Sequence, residues 1–101
     1  MHYLSIVIPV YNEDQNIEKL IFEVHEVLES IRDSIQSEII VIDDASTDNT
    51  KSILNKLNQM KLITFYSNDK NSGQSFSIYK GVSKSKHTTI ITLDGDLQND
   101  P

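Results

Sequence analysis

The segment YLSIVIPVY, which runs from Tyr3 to Tyr11, is rich in β-branched residues and almost wholly apolar. A run of this kind is typical of a strand that is buried on both faces of a parallel sheet. Pro9 has no N–H to donate to a neighbouring strand, so its place near the end of the run predicts that the strand leaves the sheet there. This segment therefore indicates a fold built around a buried strand.

The rest of the chain alternates between helical and extended patterns. Apolar residues three and four apart predict helices over Asn16–Asp33, Asp48–Met60 and Gln74–Lys86. Short apolar runs predict further strands over Glu38–Asp43, Leu62–Tyr66 and Thr88–Leu93. Helical crossovers between strands give a mostly parallel sheet with helices on both faces. We therefore predict an α/β fold with a doubly wound sheet, the element order β-α-β-α-β-α-β and the strand order 3-2-1-4.

The same patterns predict details of the helices. We expect Asn12 or Asp14 to cap the first helix, and Asp48 or Thr47 to cap the second. In the third helix, the spacing predicts an inward face made of Ile78, Tyr79 and Val82.

The composition excludes several classes of protein. The 101 residues carry a net charge of −6 and include no cysteine. No basic stripe is present to neutralise phosphates, so nucleic acid is excluded as a partner. A disulfide framework, a thiolate nucleophile and a zinc–thiolate site are excluded as well. The sequence shows neither a signal peptide nor the ~20 apolar residues that span a membrane, so we expect a soluble, cytoplasmic protein.

Polar residues gather where the predicted strands end. In open α/β sheets, ligands bind outside the carboxyl ends of the strands, where the strand order reverses, which here lies between strands 1 and 4. The four predicted strand ends carry the polar segments Pro9–Glu13, Asp43–Asp48, Ser67–Gly73 and Asp94–Asp96. This asymmetry indicates a ligand site at that edge of the sheet.

Asp94 and Asp96 are the sharpest feature of that edge. Two carboxylates separated by one residue can bind one hard cation, and Gly95 lets the backbone approach a ligand. Oxygen ligands suit Mg²⁺ or Mn²⁺ completed by phosphate oxygens and water. A cation would also let an acidic protein hold a phosphate. The alternative is a solvated turn, for which Asp-Gly is ordinary.

The other candidates each have a structural alternative. Asp43 and Asp44 could accept hydrogen bonds from a base or ribose, or belong to an acidic helix start. Tyr11 could stack on a base with Glu13 beside it, or pack on the first helix. Gly73 indicates a tight turn before the third helix.

Four blocks of the sequence resemble, in order, the signature of family 2 glycosyltransferases with the GT-A fold: SIVIPVYNE, EIIVIDDASTDNT, NSGQSFSIYKGV and IITLDGDLQNDP. The last block is most similar to the polyprenyl-phosphate sugar transferases, which use dolichol or undecaprenyl phosphate. The resemblance covers nearly the whole chain. It implies an inverting, metal-dependent hexosyltransferase that moves a sugar from a UDP- or GDP-linked donor to a lipid-phosphate or glycan acceptor. The full-length protein would then lie at the cytoplasmic face of the membrane.

The resemblance also implies roles for individual residues. The nucleotide-sugar-binding set would comprise Pro9, Val10, Tyr11, Glu13, Asp43, Asp44, Asn71, Gly73, Asp94, Gly95 and Gln98. Asp96 would be the principal metal ligand, with Asp94 beside it. The third helix departs from the family, because Phe76, Ile78 and Tyr79 stand where small alanines are usual.

The resemblance further implies how much of the enzyme this sequence contains. Residues 1–101 would be the donor-binding N-terminal part of a glycosyltransferase domain, truncated before the acceptor-binding part. In the family, the acceptor site follows the Asp-x-Asp block. We therefore expect the catalytic residues to lie beyond Pro101, and none is assigned within the chain.

Two other functions are compatible with the same residues. An aspartate-based phosphotransfer domain also uses an Asp-x-Asp pair, but places it on the first strand of a longer body. A non-catalytic nucleotide-binding fragment would keep the donor site without turnover. A truncated sheet would expose the edge of the fourth strand, which favours pairing with a second copy of the chain.

Overall fold

The computed structural model describes residues 1–94, in which four parallel strands alternate with three helices. The elements are β1 (His2–Val10), α1 (Ile17–Ser30), β2 (Ile35–Asp43), α2 (Thr50–Gln59), β3 (Thr64–Ser67), α3 (Gln74–Lys84) and β4 (Ile90–Thr92). The sheet order is β3-β2-β1-β4, and every pair is parallel. The predicted element order and strand order are confirmed. No helix in this part of the chain is long and apolar enough to cross a membrane.

β1 and β2 form the centre of the sheet and are covered on both faces. Alternate residues of β1, such as Ile6 and Ile8, belong to the apolar core with Ile17 of α1 and Leu54 of α2. The residue between them, Val7, faces α3 instead and is fully buried. Two-sided burial explains why the β1 sequence is apolar at consecutive positions rather than at every second one.

α3 packs on the sheet through its small residues. A Cβ added to Gly81 would overlap the Val7 side chain, so the helix lies close to β1 because this residue is a glycine. Ser77 is buried on the same face, whereas Tyr79 is 73% exposed and Val82 40% exposed. The prediction that Tyr79 and Val82 face inward is therefore wrong. Close approach through Ser77 and Gly81 turns the larger side chains outward.

β1 separates from β4 before it separates from β2. Its register with β2 continues to Val10 opposite Asp43, but its pairing with β4 ends at Val7 opposite Thr92. The prediction that the strand leaves the sheet at Pro9 is thus right on the β4 side only. Backbone groups of alternate residues point to the same side, and the carbonyl of Val7 accepts a bond from Leu93 beyond β4. The missing N–H of Pro9 therefore faces β4, where a crevice opens.

Candidate functional site

A cleft of about 260 Å³ lies at the carboxyl edge of the sheet, beside the ends of β1 and β4. It is lined by Pro9, Val10, Tyr11, Glu13, Asp44, Gln74, Ser77 and Asp94. Six of these eight residues were expected from the sequence to bind one ligand. The cleft therefore brings together side chains from three strand ends and the start of α3.

Asp44 lines this cleft and is buried, with 5% of its surface exposed. Its Oδ1 accepts hydrogen bonds from the Ser72 N–H at 2.7 Å and the Asn68 amide at 2.8 Å. Its Oδ2 accepts the Gly73 N–H at 2.9 Å. Burial by itself raises the pKa of Asp44, but these three bonds, that of Ser72 first, outweigh it. The pKa of Asp44 therefore lies below the ordinary value of 3.8.

Asn68 connects Asp44 to the body of α3. This buried amide donates to Asp44 and, at 3.0 Å, to the Ser77 hydroxyl. Its carbonyl oxygen accepts the Lys80 ammonium at 3.2 Å, so its side-chain donors and acceptor are all engaged. Such a fully satisfied network fixes the orientation of Asp44 without leaving an unpaired buried group.

The loop after β1 is joined to the loop after β2 by side chains. Asn12, at a φ of 53°, accepts the Thr47 N–H at 2.8 Å, and its own N–H donates to the Ser46 hydroxyl at 2.9 Å. The expectation that Asn12 or Asp14 caps α1 is wrong, because the N-cap is Asn16 and it makes no side-chain cap. Asn12 instead forms hydrogen bonds with the loop after β2.

Asp48 and Asp14 strengthen the same contact. Asp48 accepts the Thr50 N–H at 2.8 Å in the first turn of α2, and also the Asp14 N–H at 3.3 Å. Asp14 in return accepts the Asn49 N–H at 3.2 Å. Burial raises the pKa of Asp48, but the bonds from Thr50 and then from Asp14 outweigh it and lower that pKa below 3.8. The expectation that Asp48 or Thr47 caps α2 is wrong, because the N-cap is Asn49 and it makes no side-chain cap; Asp48, one residue earlier, instead bonds to the N–H of Thr50.

Tyr11 and Glu13 form the outer wall of the cleft. Tyr11 is 46% exposed and lines the cleft. Glu13 is half-buried, and its N–H donates to the Thr50 hydroxyl at 2.9 Å. The backbone at Glu13 is therefore anchored to α2, and the Glu13 carboxylate accepts the Asn16 amide at 3.3 Å.

Asp94 closes the cleft from the β4 side. It is exposed, and its Oδ1 accepts the Gln74 amide at 3.2 Å. Within residues 1–94 no three His, Cys, Asp or Glu side chains form a group that could hold a metal. The Asp94 carboxylate is an oxygen donor of the kind that Mg²⁺ and Mn²⁺ prefer, so its chemistry is compatible with such an ion.

Four positions on which the sequence analysis relied lie outside the described residues, namely Gly95, Asp96, Gln98 and Pro101. The first three were assigned to the diphosphate and metal end of the site, and these assignments stay predictions. Pro101 was named as the point beyond which the catalytic residues lie. No catalytic residue is therefore assigned among residues 1–94, and the placement of these residues beyond Pro101 also stays a prediction.

The remaining predicted residues surround Asp44 rather than line the cleft. Asp43 is fully buried and accepts long hydrogen bonds of 3.4 Å from the Ser46 N–H and the Ser67 hydroxyl. Asn71 donates to the Asp44 carbonyl at 3.3 Å. Gly73 has a φ of 98°, so it makes the tight turn that its sequence context predicted. These residues shape the loop that holds Asp44.

Gln74 and Ser77 line the cleft and were not expected from the sequence. Both lie in the predicted third helix, three residues apart, and residues at that spacing share one helix face. Gln74 also follows Gly73 directly. Helical spacing counted from that glycine was thus a signal that could have found them.

A larger cleft of about 890 Å³ lies at the amino edge of the sheet, lined by residues such as Leu28, Arg32 and Thr64. It is formed by the last turns of α1 and α2 and the first residues of β2 and β3. In parallel α/β sheets the ligand edge is the carboxyl one. The cleft at the amino edge is therefore not taken as the candidate site, although it is the larger of the two.

The family model described as "Glycosyl transferase family 2" matches residues 5–101. TarS 1–349 of S. aureus, solved in complex with UDP, is similar with a TM-score of 0.76 and 22% identity, over 95% of this chain and 28% of that one.

Two further solved structures show the same fold. The mannosyltransferase PcManGT of Pyrobaculum calidifontis, in complex with GDP-Man and Mn²⁺, has a TM-score of 0.79 and 24% identity, over 92% of this chain and 27% of that one. Mannosyl-3-phosphoglycerate synthase of Rubrobacter xylanophilus has a TM-score of 0.79 and 20% identity, over 99% of this chain and 32% of that one. The chain thus spans less than a third of the length of each of these three proteins.

Proposed function

The chain belongs to glycosyl transferase family 2, and from this premise we propose that residues 1–101 form the donor-binding part of a glycosyltransferase that uses a UDP- or GDP-linked sugar. The observation that carries the proposal is that Tyr11, Asp44 and Asp94 all line the same cleft. The aromatic ring of Tyr11 suits stacking on a nucleobase, and the buried carboxylate of Asp44 suits the polar edge of that base. The exposed carboxylate of Asp94 suits a diphosphate with its cation. UDP and GDP-Man in two structures of the same fold support this ligand class.

Asp44 is proposed to read the base. Its lowered pKa keeps it ionised at neutral pH, so it acts only as an acceptor. Its Oδ2 accepts one bond within the described residues, from Gly73, and has capacity for another. An imide or amino N–H of a nucleobase is a donor of the required kind. Tyr11 supplies an open ring on which the base can stack.

Asp94, together with Asp96, is proposed to hold Mg²⁺ or Mn²⁺ and through it the donor diphosphate. When bound, the cation neutralises negative charge on the nucleoside diphosphate as it leaves the sugar. The Mn²⁺ in the Pyrobaculum calidifontis structure supports this choice of metal. The net charge of −6 also favours it, because an acidic chain needs a cation to bind an anionic donor.

The acceptor is proposed to be a polyprenyl phosphate, approached at the cytoplasmic face of a membrane, with inversion at the sugar carbon. The support is the resemblance of the block IITLDGDLQNDP to the polyprenyl-phosphate sugar transferases. A lipid phosphate is already ionised and nucleophilic, so little help from a general base would be needed. A glycan hydroxyl would require a carboxylate base.

Titration calorimetry of the 101-residue chain with UDP, GDP and their sugar conjugates, with and without Mn²⁺, tests the proposal. We expect one of the two nucleotide series to bind with a Kd below about 1 mM in Mn²⁺ and at least about tenfold more weakly without it. Asp96→Ala should remove the Mn²⁺ dependence. Asp33→Asn is the matched control, because Asp33 is exposed in the turn between α1 and β2 at the far edge of the sheet.

Two outcomes contradict the proposal. Absence of binding in both nucleotide series leaves a fragment without a donor site. An acid-labile phosphate on Asp94 or Asp96 after incubation with a phosphodonor supports the phosphotransfer alternative instead.

A further inference from the structure

The two ends of the cleft are linked by a two-residue segment, Gly73–Gln74. The N–H of Gly73 donates to Asp44 at 2.9 Å, and the side-chain amide of the next residue donates to Asp94 at 3.2 Å. Asp44 and Asp94 come from different strand ends, and both line the cleft. The start of α3 therefore bonds both to Asp44, which is proposed to bind the base, and to Asp94, which is proposed to bind the diphosphate through a cation.

Among the described residues, few hydrogen bonds hold the backbone around Asp94. β4 has three residues and pairs within residues 1–94 with β1 alone. Its last backbone bond to β1 is made by the N–H of Leu93, one residue before Asp94. In the described part of the chain, Gln74 is the residue that hydrogen-bonds the Asp94 side chain. An exposed carboxylate side chain can adopt several rotamers unless a neighbour holds it in one of them.

Gln74 itself is well placed to act as that neighbour. It is the first residue of α3, and its position is set by Gly73, whose N–H is fixed by Asp44 and whose carbonyl accepts the Ser77 N–H at 3.1 Å. Its amide donates to Oδ1 of Asp94, and no donor within residues 1–94 bonds to Oδ2. An amide donor orients a carboxylate without removing the negative charge that a cation or ribose hydroxyl needs.

We propose that Gln74 is a positioning residue, which holds the Asp94 carboxylate in the orientation that receives the diphosphate end of the donor and couples it to the base end through Gly73. This inference rests on the proposed function. It separates two contributions: Asp44 acts on the nucleoside, and Gln74 acts only on ligands that carry the diphosphate.

The test compares Gln74→Met with wild type in the 101-residue chain. Methionine keeps the length and helix preference of glutamine and removes the donor. Loss of one such hydrogen bond should weaken binding of UDP or GDP in Mn²⁺ about three- to tenfold. Binding of uridine or guanosine, which lack phosphate, should change less than about twofold, and the urea midpoint should not move, because an exposed hydrogen bond adds little to folding.

Two further variants sharpen the test. Gln74→Glu places a second carboxylate beside Asp94, so nucleoside diphosphate binding should depend more strongly on Mn²⁺ than in wild type. Gln59→Met is the matched control, because Gln59 is exposed at the end of α2, on the other side of the sheet from α3. It should change neither binding nor stability.

The outcomes separate the two proposals. If wild type binds UDP or GDP and Gln74→Met binds equally well, the positioning role is overturned and the donor site stands. If Gln74→Met weakens the nucleoside and the diphosphate equally and lowers the urea midpoint, its role is structural and the inference fails. If wild type binds no nucleotide, the donor site and the positioning role fall together.

Discussion

At the scale of single residues, Asp44 decides the chemistry of the cleft. Two N–H groups and one amide converge on its carboxylate from a loop that lies more than twenty residues further along the chain. Bonds to an ionised acceptor are stronger than neutral ones, and they also fix its protonation state. The same contacts that hold the loop therefore keep Asp44 an acceptor at neutral pH.

Asp44→Asn is predicted to destabilise the fold. An asparagine has one oxygen, so its amide nitrogen must face either Gly73 N–H or the two donors on the other side. We expect a loss of about 1–3 kcal/mol in the free energy of unfolding. Urea unfolding followed by circular dichroism measures it.

The control for this substitution is Asp33→Asn, at an exposed position, which should stay within about 0.5 kcal/mol of wild type. An equally small effect of Asp44→Asn would show that the three hydrogen bonds add nothing to stability.

At the scale of elements, α3 differs from α1 and α2 in how it meets the sheet. α1 and α2 bury large residues such as Ile21 and Leu57, whereas α3 buries Ser77 and Gly81. Small residues bring its axis close to β1, which places its first turn beside the ends of β1 and β4. The prediction that the exposed edge of β4 pairs with a second copy also belongs to this scale, and it stays a prediction.

Gly81→Ala is predicted to destabilise the protein although alanine is the better helix former. The helix preference gains roughly 1 kcal/mol. The new methyl group, however, overlaps the buried Val7 side chain, and overpacking typically costs about 1–3 kcal/mol. We expect a net loss of about 1 kcal/mol, measured by urea unfolding.

Ser75→Ala, at an exposed position of the same helix, is the matched control and should not destabilise the protein. Combining Gly81→Ala with Val7→Ala should cost less than the sum of the two, because the second change makes room for the first. Strict additivity would argue against a steric cause.

At the scale of the whole molecule, the loops at the carboxyl edge hold one another in sequence. Asn12 joins the first loop to the second, and Asp44 joins the second to the third. Gln74 then joins the start of α3 to Asp94. The cleft is thus surrounded by connections that are long-range in sequence, and two of the acids involved, Asp44 and Asp48, have lowered pKa values.

Stability should therefore fall in acid. A carboxyl whose pKa is lower in the folded state than its ordinary value of 3.8 binds protons more tightly when unfolded. The stability that such a carboxyl group contributes is fully present above its ordinary pKa and is lost as the pH falls through its pKa in the folded state. We expect the free energy of unfolding, measured in urea from about pH 6 to about pH 2, to decline below about pH 4.

The variant that carries both Asp44→Asn and Asp48→Asn should start lower and decline less steeply over that range. Asp33→Asn should decline as wild type does. If the double variant declines as steeply as wild type, other carboxyl groups dominate the acid response.

The sequence predicted the fold better than it predicted the contacts of the site. Consecutive apolar residues in β1 and helical crossovers were enough for the strand order, because burial and handedness leave few topologies. The contacts of Asn12 could not be predicted in this way, because its partners lie 34 to 36 residues away and no local pattern shows them. The inward placement of Tyr79 was wrong, and Gln74 was not predicted to line the cleft, for a related reason. The face of α3 that packs on the sheet is decided by the close contact of Gly81 with β1.

Pro9 has a consequence for the shape of the sheet. The N–H of Ser5 bonds to the carbonyl of Thr89, and the next donors along that side of β1 would be residues 7 and 9. Residue 9 is a proline, so β1 has no donor to offer at the level of Leu93. One rung of the ladder between β1 and β4 is therefore missing where the cleft begins, and the covalent structure of one imino acid favours an opening between the two strands there.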